Sequence, residues 1–460
     1  LMTGRRSRRP GDSPDGTGDG QLSRHGIRRG DRQLMVDMNR NLVLNVLRTG
    51  AASRADVVRT TGLSPTTVSA IVSELVESGL INEVGEGKSS GGRPPLLLRI
   101  DDERNYIVGL KVTRFDISVA VTDLRAEVLH SELVELDGLG AAELSGHPFG
   151  SSHANEVDPA SVLDQLCAAI ADAVRKAGVG LDQVVGIGIG LAGLVEAGTG
   201  ICRYSPAFGW RNVAVAGPLA QRLGRPVLVD NDVNTLTVAE QWFGRGHGVD
   251  DFVVVTVGVG VGAGLVIDGK LCRGARGAAG EIGHLPVGGS TVRCRCGQRG
   301  CLEALSSDNA VLRYIDEALQ RGETSSVARP DVSSLTMNEV REAAESGDSV
   351  AARALEKAGR ALGVGIATLV NLLNPRLVIL SGEGTLAGSL RSDAALLAMQ
   401  ERTFADLDRD VEFVVDSTDD VSWARGAACI VLGELFSAPI HRSVALAPIA
   451  PRERAIEEKA

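Results

Sequence analysis

Aromatic side chains are scarce. Phe, Trp and Tyr make up 3 % of the 460 residues, while Gly alone contributes 56. Such a composition points to packed backbones and tight turns rather than to an aromatic-lined binding groove. No apolar run reaches the ~18 residues of a membrane span, so none is expected. The N-terminal stretch LMTGRRSRRPGDSPDGTGDG carries Arg but no apolar segment after it, unlike a secretory signal. These absences imply a cytoplasmic protein with no membrane partner, in a compartment where disulfides are rare. An excess of positive charge is also missing, since the formal net charge is −10. That argues against a whole surface made for nucleic acid but leaves room for one small basic module on an acidic body.

The 43 % hydrophobic content is enough for a large core, and the length predicts two or three domains. Residues 1–33 are Arg-, Gly-, Asp- and Ser-rich without periodicity and read as a disordered segment. Residues 34–100 form a short helical module. From 101 to 440, Val/Ile/Gly strands alternate with Ala/Leu helices, the pattern of an α/β domain. Residues 138–159 and 321–334 read as loops or insertions, and 441–460 as a flexible tail.

In the N-terminal module, MNRNLVLNVLRTG (38–50) puts Leu42, Val43, Val46 and Leu47 on one helical face. SRADVVRTTG (53–62) begins with a capping Ser and ends with Gly. In LSPTTVSAIVSELVESGLI (63–81), Ser64 is the N-cap, Pro65 suits the first helical position, and Val68, Ile71, Val72 and Leu75 make the buried stripe. Ser64, Thr66, Thr67, Ser69 and Ser73 are short and polar, which lets such a helix lie deep in a major groove. INEVGEG, the basic tip KSSGGRPP and LLLRI then read as a wing, with Lys88 and Arg93 placed for phosphates or the minor groove. The module is a winged helix-turn-helix for operator DNA, with a helical dimerisation module as the alternative.

Three of the seven cysteines fall within CRCGQRGC, at Cys294, Cys296 and Cys301. A structural zinc site takes four nitrogen or sulfur ligands, and His284 in GEIGH can be the fourth. Four protein ligands leave no open position for catalysis, and three reduced thiols in a metal-free loop are the alternative reading. Cys167, Cys202, Cys272 and Cys429 sit in apolar surroundings and read as core residues.

GEIGH (280–284) followed by CRCGQRGCLE (294–303) resembles the signature of the ROK family of sugar kinases and sugar-responsive repressors. VVGIGIGLAGLVEAGTG (184–200), similar to that family's glycine-rich sugar loop, SPAFGW (205–210), PVLVDNDVNTLTVAE (226–240) and LVILSGEG (377–384) extend the resemblance over about residues 105–435. A helix-turn-helix in front matches the xylose-repressor-like branch of regulators. The resemblance implies an α/β actin-like ATPase fold of two lobes around a cleft, preceded by the helix-rich winged domain. It implies a structural Zn2+ in the loop 281–303, held by His284, Cys294, Cys296 and Cys301. It also implies a sugar held by Gly193, Asn231, Asp232, Glu281, His284 and Glu303, with helix capping as the plainer reading of Asp232.

In the family's kinases the residue matching Asp232 is the general base, and ATP phosphates lie on a D-x-G-G-T turn. Here the matching stretch is GLKVTRFDIS (109–118), with Lys111, Thr113, Arg114 and Phe115 at those positions. A second phosphate loop, G-T-G in the kinases, is Gly258-Val259-Gly260 here. Lys111 would repel Mg²⁺, and side chains obstruct the backbone amides that phosphates need. Phosphoryl transfer is mostly positioning and charge neutralisation. The expectation is therefore a regulator without catalysis, Asp232 being a vestigial base. It would act as a homodimer or homotetramer responding to a sugar or sugar phosphate. The competing reading is an ATP-dependent sugar kinase.

Overall fold

The computed structural model describes residues 32–48, 50–87, 94–136 and 157–436. Lys88 and Arg93, the tail 441–460, residues 1–31 and most of the loop 138–159 lie outside the described residues.

The N-terminal module comprises α1 (Arg32–Arg48), β1 (Ala52–Ser53), α2 (Arg54–Thr61), α3 (Pro65–Glu77), β2 (Ile81–Glu86) and β3 (Leu96–Ile100). Its helix ends form where local chemistry dictates. Ser53 and Asp56 make a reciprocal capping box on α2, and Gly62 closes that helix in the left-handed conformation. The wing pairs β2 with β3, and the two residues of β1 add a third strand that the sequence reading did not anticipate. On α1 the buried residues are Val43, Leu44 and Leu47, whereas Leu42, expected on that face, is 45 % exposed. Leu44 takes its place because the stripe is set by a distant helix, Asp420–Phe436, as well as by the module's own helices.

Two lobes follow, each with a five-stranded sheet. The first lobe contains β4 (Tyr106–Val112), β5 (Asp116–Asp123), β6 (Val128–Glu135), α4 (Pro159–Lys176), β7 (Val184–Leu191), β8 (Leu194–Glu196), β9 (Ile201–Ser205), β10 (Trp210–Ala214), α5 (Ala216–Leu223) and β11 (Val227–Asn231). Helix α6 (Asp232–Phe243) leads to the second lobe. That lobe is built from β12 (Phe252–Val257), β13 (Val261–Ile267), β14 (Lys270–Leu271), α7 (Leu302–Ser306), α8 (Asp308–Gln320), α9 (Met337–Glu345), α10 (Ser349–Leu373), β15 (Leu377–Ser381), α11 (Ser389–Arg402) and β16 (Glu412–Val415), after which α12 (Asp420–Phe436) returns to pack on the first sheet and α6. Read from one edge, the sheets run β6-β5-β4-β7-β11 and β14-β13-β12-β15-β16. Both place an antiparallel three-stranded meander beside two parallel strands, so one plan is used twice. The strands beside each lobe's centre are buried on both faces and are accordingly continuous in Val and Ile, as in FVVVTV of β12.

Helix α12 crosses the first sheet so closely that side chains on β4 and β7 would collide with it. A Cβ at Gly109 would stand 2.0 Å from the Ala424 carbonyl oxygen, and one at Gly188 1.8 Å from that of Ala427. The first half of 184–200, a stretch read from the sequence as a sugar loop, is therefore strand β7 and its packing glycines. The module is not a separate ball. Val43, Leu44 and Leu47 share one core with Leu228 of β11, Val238 of α6 and Ile430, Val431 and Phe436 of α12. Asn45 Nδ2 donates to the Phe436 carbonyl at 2.9 Å, and Asn105 Nδ2 donates to the Gly79 carbonyl at 2.8 Å.

Candidate functional site

Strand β11 ends and α6 begins at Asn231-Asp232. Asn231 is the N-cap: its Oδ1 accepts from the amides of Val233 and Asn234, and its Nδ2 donates to the Gly193 carbonyl at 3.0 Å. The capping role considered for Asp232 thus falls to its neighbour. Gly193 has φ 138°, and a Cβ there would lie 2.3 Å from the Tyr204 oxygen, so only glycine fits. Asp232, the first residue of α6, is only partly exposed. Burial raises its pKa, opposed by Lys111 and reinforced by Glu383. Glu281 is likewise raised, first by burial, then against the pull of His284 and with the push of Asp232 and Glu303. Asp232, His284 and Glu303 thus all stand near enough to Glu281 to act on its charge.

Glu303, buried at the start of α7, already has a partner. Arg295 Nε lies 2.8 Å from its Oε1, and Arg295 Nη2 donates to its Oε2 at 3.0 Å. Nothing in the sequence flagged Arg295, because the pair forms within a loop that has no periodicity.

The candidate metal ligands converge. The ligand atoms of His284, Cys294, Cys296 and Cys301 all lie within 4.8 Å of one another. Cys294 Sγ is 3.7 Å from His284 Nδ1, and Cys296 Sγ is 3.7 Å from Cys301 Sγ. Zinc–sulfur bonds of ~2.3 Å in a tetrahedron give edges of about 3.8 Å, so the set fits an ion of that kind. Nδ1 of His284 faces the thiols, and its Nε2 lies 4.0 Å from Glu281 Oε2 on the other side of the ring. The cluster is able to bind a metal. No disulfide is formed among the described cysteines.

In the stretch read from the sequence as the counterpart of a phosphate turn, Lys111 of β4 is turned inward with a side chain 9 % exposed. Its Nζ donates to Glu383 Oε1 at 2.5 Å and lies 4.0 Å from the ring centre of Trp423 in α12. Glu383 follows β15, so the ion pair joins the two lobes. A Cβ on Gly258 would come within 2.8 Å of Glu383 Oε2, which puts that carboxylate against the second phosphate loop. Val259 is exposed, and Arg114 Nη1 donates to the Ala207 carbonyl at 3.1 Å. Neither Glu383 nor Trp423 was singled out in the sequence, since they are distant from Lys111 along the chain.

On α3, Thr66, Ser69 and Ser73 are exposed, whereas Ser64 Oγ caps the helix and lies 2.8 Å from Thr67 Oγ1. Of the five α3 residues expected to contact DNA, Ser64 and Thr67 are thus also engaged with each other at the helix start.

Replacing Asp232 by Asn tests the cleft floor. A carboxylate whose folded pKa is raised keeps its stability contribution below the unfolded pKa and loses it as pH rises through the folded value. Asp232→Asn should therefore raise Tm relative to the parent at pH 8 more than at pH 5. Calorimetry should show sugar affinity falling about tenfold to a hundredfold, the loss of charge-assisted hydrogen bonds.

A family model described as "ROK family" matches residues 139–434. The xylose repressor of Caldicellulosiruptor bescii is 30 % identical over 412 residues, 89 % of this chain and 99 % of that protein. The DNA-binding transcriptional dual regulator NagC of Escherichia coli K12 is 30 % identical over 77 % of this chain and 83 % of its own. Among solved structures, a ROK family transcriptional regulator, a homologue of the E. coli MLC protein, superposes with a TM-score of 0.76 at 26 % identity. It covers 88 % of this chain and 98 % of its own. A ROK family glucokinase from Streptomyces griseus, in complex with glucose and AMPPNP, gives 0.60 at 28 % identity, covering 71 % of this chain and 99 % of its own. No helix among the described residues is long and apolar enough to cross a membrane.

Proposed function

The chain belongs to the ROK family, and from that premise we propose that it is a sugar-responsive DNA-binding transcriptional regulator, a repressor of carbohydrate-utilisation genes. The observation that carries this is the Lys111–Glu383 pair. It stands where a kinase would hold the phosphates and metal of its nucleotide, while a helix-turn-helix shares its core with the first lobe. Magnesium next to a lysine ammonium is repelled, and the side chains of Thr113 and Arg114 stand where a cradle of backbone amides needs glycine. The reading is thus a non-enzyme in which Asp232 is a binding group. The larger share of the chain covered by the regulator structure than by the glucokinase supports it.

The sugar is held by Asp232, Glu281, His284 and Glu303, with Gly193 and Asn231 shaping the floor. Carboxylates accept from adjacent hydroxyls in pairs, which suits a polyol. Zn2+ is the metal of the His284, Cys294, Cys296 and Cys301 cluster and has a structural role. If bound, it fixes the His284 ring and the loop leading to Glu303. Thr66, Ser69 and Ser73 read base edges, with Ser64 and Thr67 setting the helix entry. Lys88 and Arg93 complete the proposed DNA contacts. A homodimer or homotetramer presents two such modules, and half-sites about 34–36 Å apart make a small rotation enough to break the fit. The protein works in the cytoplasm, beside its operator.

The test uses full-length protein and a duplex that it selects itself from a random pool. A sugar that binds the cleft should weaken duplex binding by roughly 5–150-fold, a usual range for allosteric coupling. Incubation with the same sugar, ATP and Mg²⁺ should give no phosphorylated product. Robust product would establish the kinase reading instead.

A further inference from the structure

We infer that the effector is an uncharged sugar and that the cleft rejects the phosphorylated form of the same sugar. This rests on the carbohydrate-cleft reading above. The sequence leaves an anionic effector open, because Lys111 and Arg114 are both positive. The structure shows what each cation near the cleft is doing. Lys111 Nζ donates to Glu383 Oε1 at 2.5 Å, with the Trp423 ring 4.0 Å away on another side. Arg295 is engaged two-on-two with Glu303, its Nε at 2.8 Å from Oε1 and its Nη2 at 3.0 Å from Oε2. Arg114 Nη1 is used by the Ala207 carbonyl at 3.1 Å.

The acids are in excess. Asp232 and Glu303 both act on Glu281, Glu383 acts on Asp232, and Asp420 lies within reach of Lys111 and Glu383. The cations set among them are Lys111 and Arg295, and each already faces one carboxylate closely. A phosphate monoester brings about 1.5–2 negative charges and needs free guanidinium or ammonium donors. Here it would meet carboxylates whose partners are taken, and like charges brought together oppose binding strongly. Neutral hydroxyls meet no such cost, since the spare lone pairs of Asp232 and Glu281 accept from them directly.

The structure also shows how the alternative would arise. The Glu383 side chain is 49 % exposed. Were it to swing outward, Lys111 would become a free ammonium beside Asp232. Glu383→Gln mimics that release by removing the charge that holds the lysine.

The experiment is titration calorimetry on the full chain with matched pairs: glucose and glucose 6-phosphate, N-acetylglucosamine and its 6-phosphate, xylose and xylose 5-phosphate. In whichever pair binds, the neutral member should be at least about tenfold tighter. Glu383→Gln should narrow that gap by strengthening the phosphorylated member. A wild-type preference for the phosphorylated member overturns the inference while leaving the cleft reading intact. Binding by no member of any pair removes the cleft reading, and this inference with it. A gap that Glu383→Gln leaves unchanged rejects the spent-lysine explanation.

Discussion

Cys301→Ala should leave a protein that stays folded yet carries no metal and no longer answers to sugar. The segment from Leu285 to Gly300 has almost no regular structure. It is tied by isolated bridges at Pro286–Cys301 and Arg293–Arg299 and by turn hydrogen bonds such as Cys294 N–H to the Gln298 carbonyl. Its apolar anchors are few, chiefly Val287 packed on the second lobe beside Ile282 and Leu302. A segment with so little buried surface takes its order from the ion it holds. The large cores of the two lobes lie elsewhere, on the sheets and on α8, α10 and α11. Loss of the metal should therefore loosen this loop without unfolding the body, and Tm should fall only modestly.

The functional loss should be far larger. A metal bound there would fix both ends of the loop, with Glu281 and His284, two of the proposed sugar contacts, at one end and Glu303, a third, at the other. Outer-shell changes around a metal commonly cost 10–100-fold, and removing a ligand should cost at least about that in sugar affinity. Atomic absorption should find about one zinc per chain in the parent and close to none in Cys301→Ala. Calorimetry should show sugar binding weakened to match. Cys167→Ser, a half-buried cysteine far from the cluster in sequence, is the control and should retain both. If Cys301→Ala binds zinc and sugar like the parent, the cluster is not the organiser of this cleft.

The convergence of His284 with the three cysteines and the helix that starts at Pro65 were legible in the sequence because their chemistry is local. Three cysteines within eight residues can scarcely avoid one another, and Ser64-Pro65 starts a helix whatever the tertiary context. The alternation of strands and helices likewise foretold an α/β domain, and the family resemblance foretold its two lobes. Contacts made across the fold left no such trace. Glu383 meets Lys111 from the opposite lobe, and Leu44 rather than Leu42 is buried because α12 shares the module's core. The glycines of β7 misled for a related reason. Glycine-rich sequence signals close approach, but it does not say whether a ligand or a helix approaches, and here α12 does at Gly188. The seven residues expected to touch DNA illustrate the same limit. Only Thr66, Ser69 and Ser73 have both described positions and free, exposed side chains on α3.

Trp242→Ala should separate sugar binding from DNA release. Helix α6 begins at Asp232, on the cleft floor, and Trp242 occupies its last turn. There the guanidinium carbon of Arg48, the end of α1, lies 4.6 Å from the centre of the Trp242 ring, and the ring of Phe436 is 5.9 Å away. Helix α12 lies alongside α6, near enough that a Cβ on Gly426 would stand 3.1 Å from the Thr235 oxygen. Its first turn carries Trp423, beneath Lys111, and its last carries Phe436, whose carbonyl accepts from Asn45 of α1 at 2.9 Å. Two packed helices thus run from the cleft to the DNA-binding module, and Trp242 is where the first of them grips it. A close-packed pair transmits a shift of its cleft end as a body, since interiors deform little. Removing the indole opens a gap at the grip while leaving both ends intact. The half-buried ring should cost about 2 kcal/mol, less than the 3–5 kcal/mol of a fully buried tryptophan. Sugar should still raise Tm, and the duplex should still bind, because α3 makes neither contact. The sugar-induced loss of duplex affinity should shrink to near zero, measured by fluorescence anisotropy with and without saturating sugar. Phe404→Ala, an exposed aromatic on the second lobe, should release DNA like the parent. Parent-like release in Trp242→Ala would mean that the signal reaches α1 through the shared core as a whole and not through this junction.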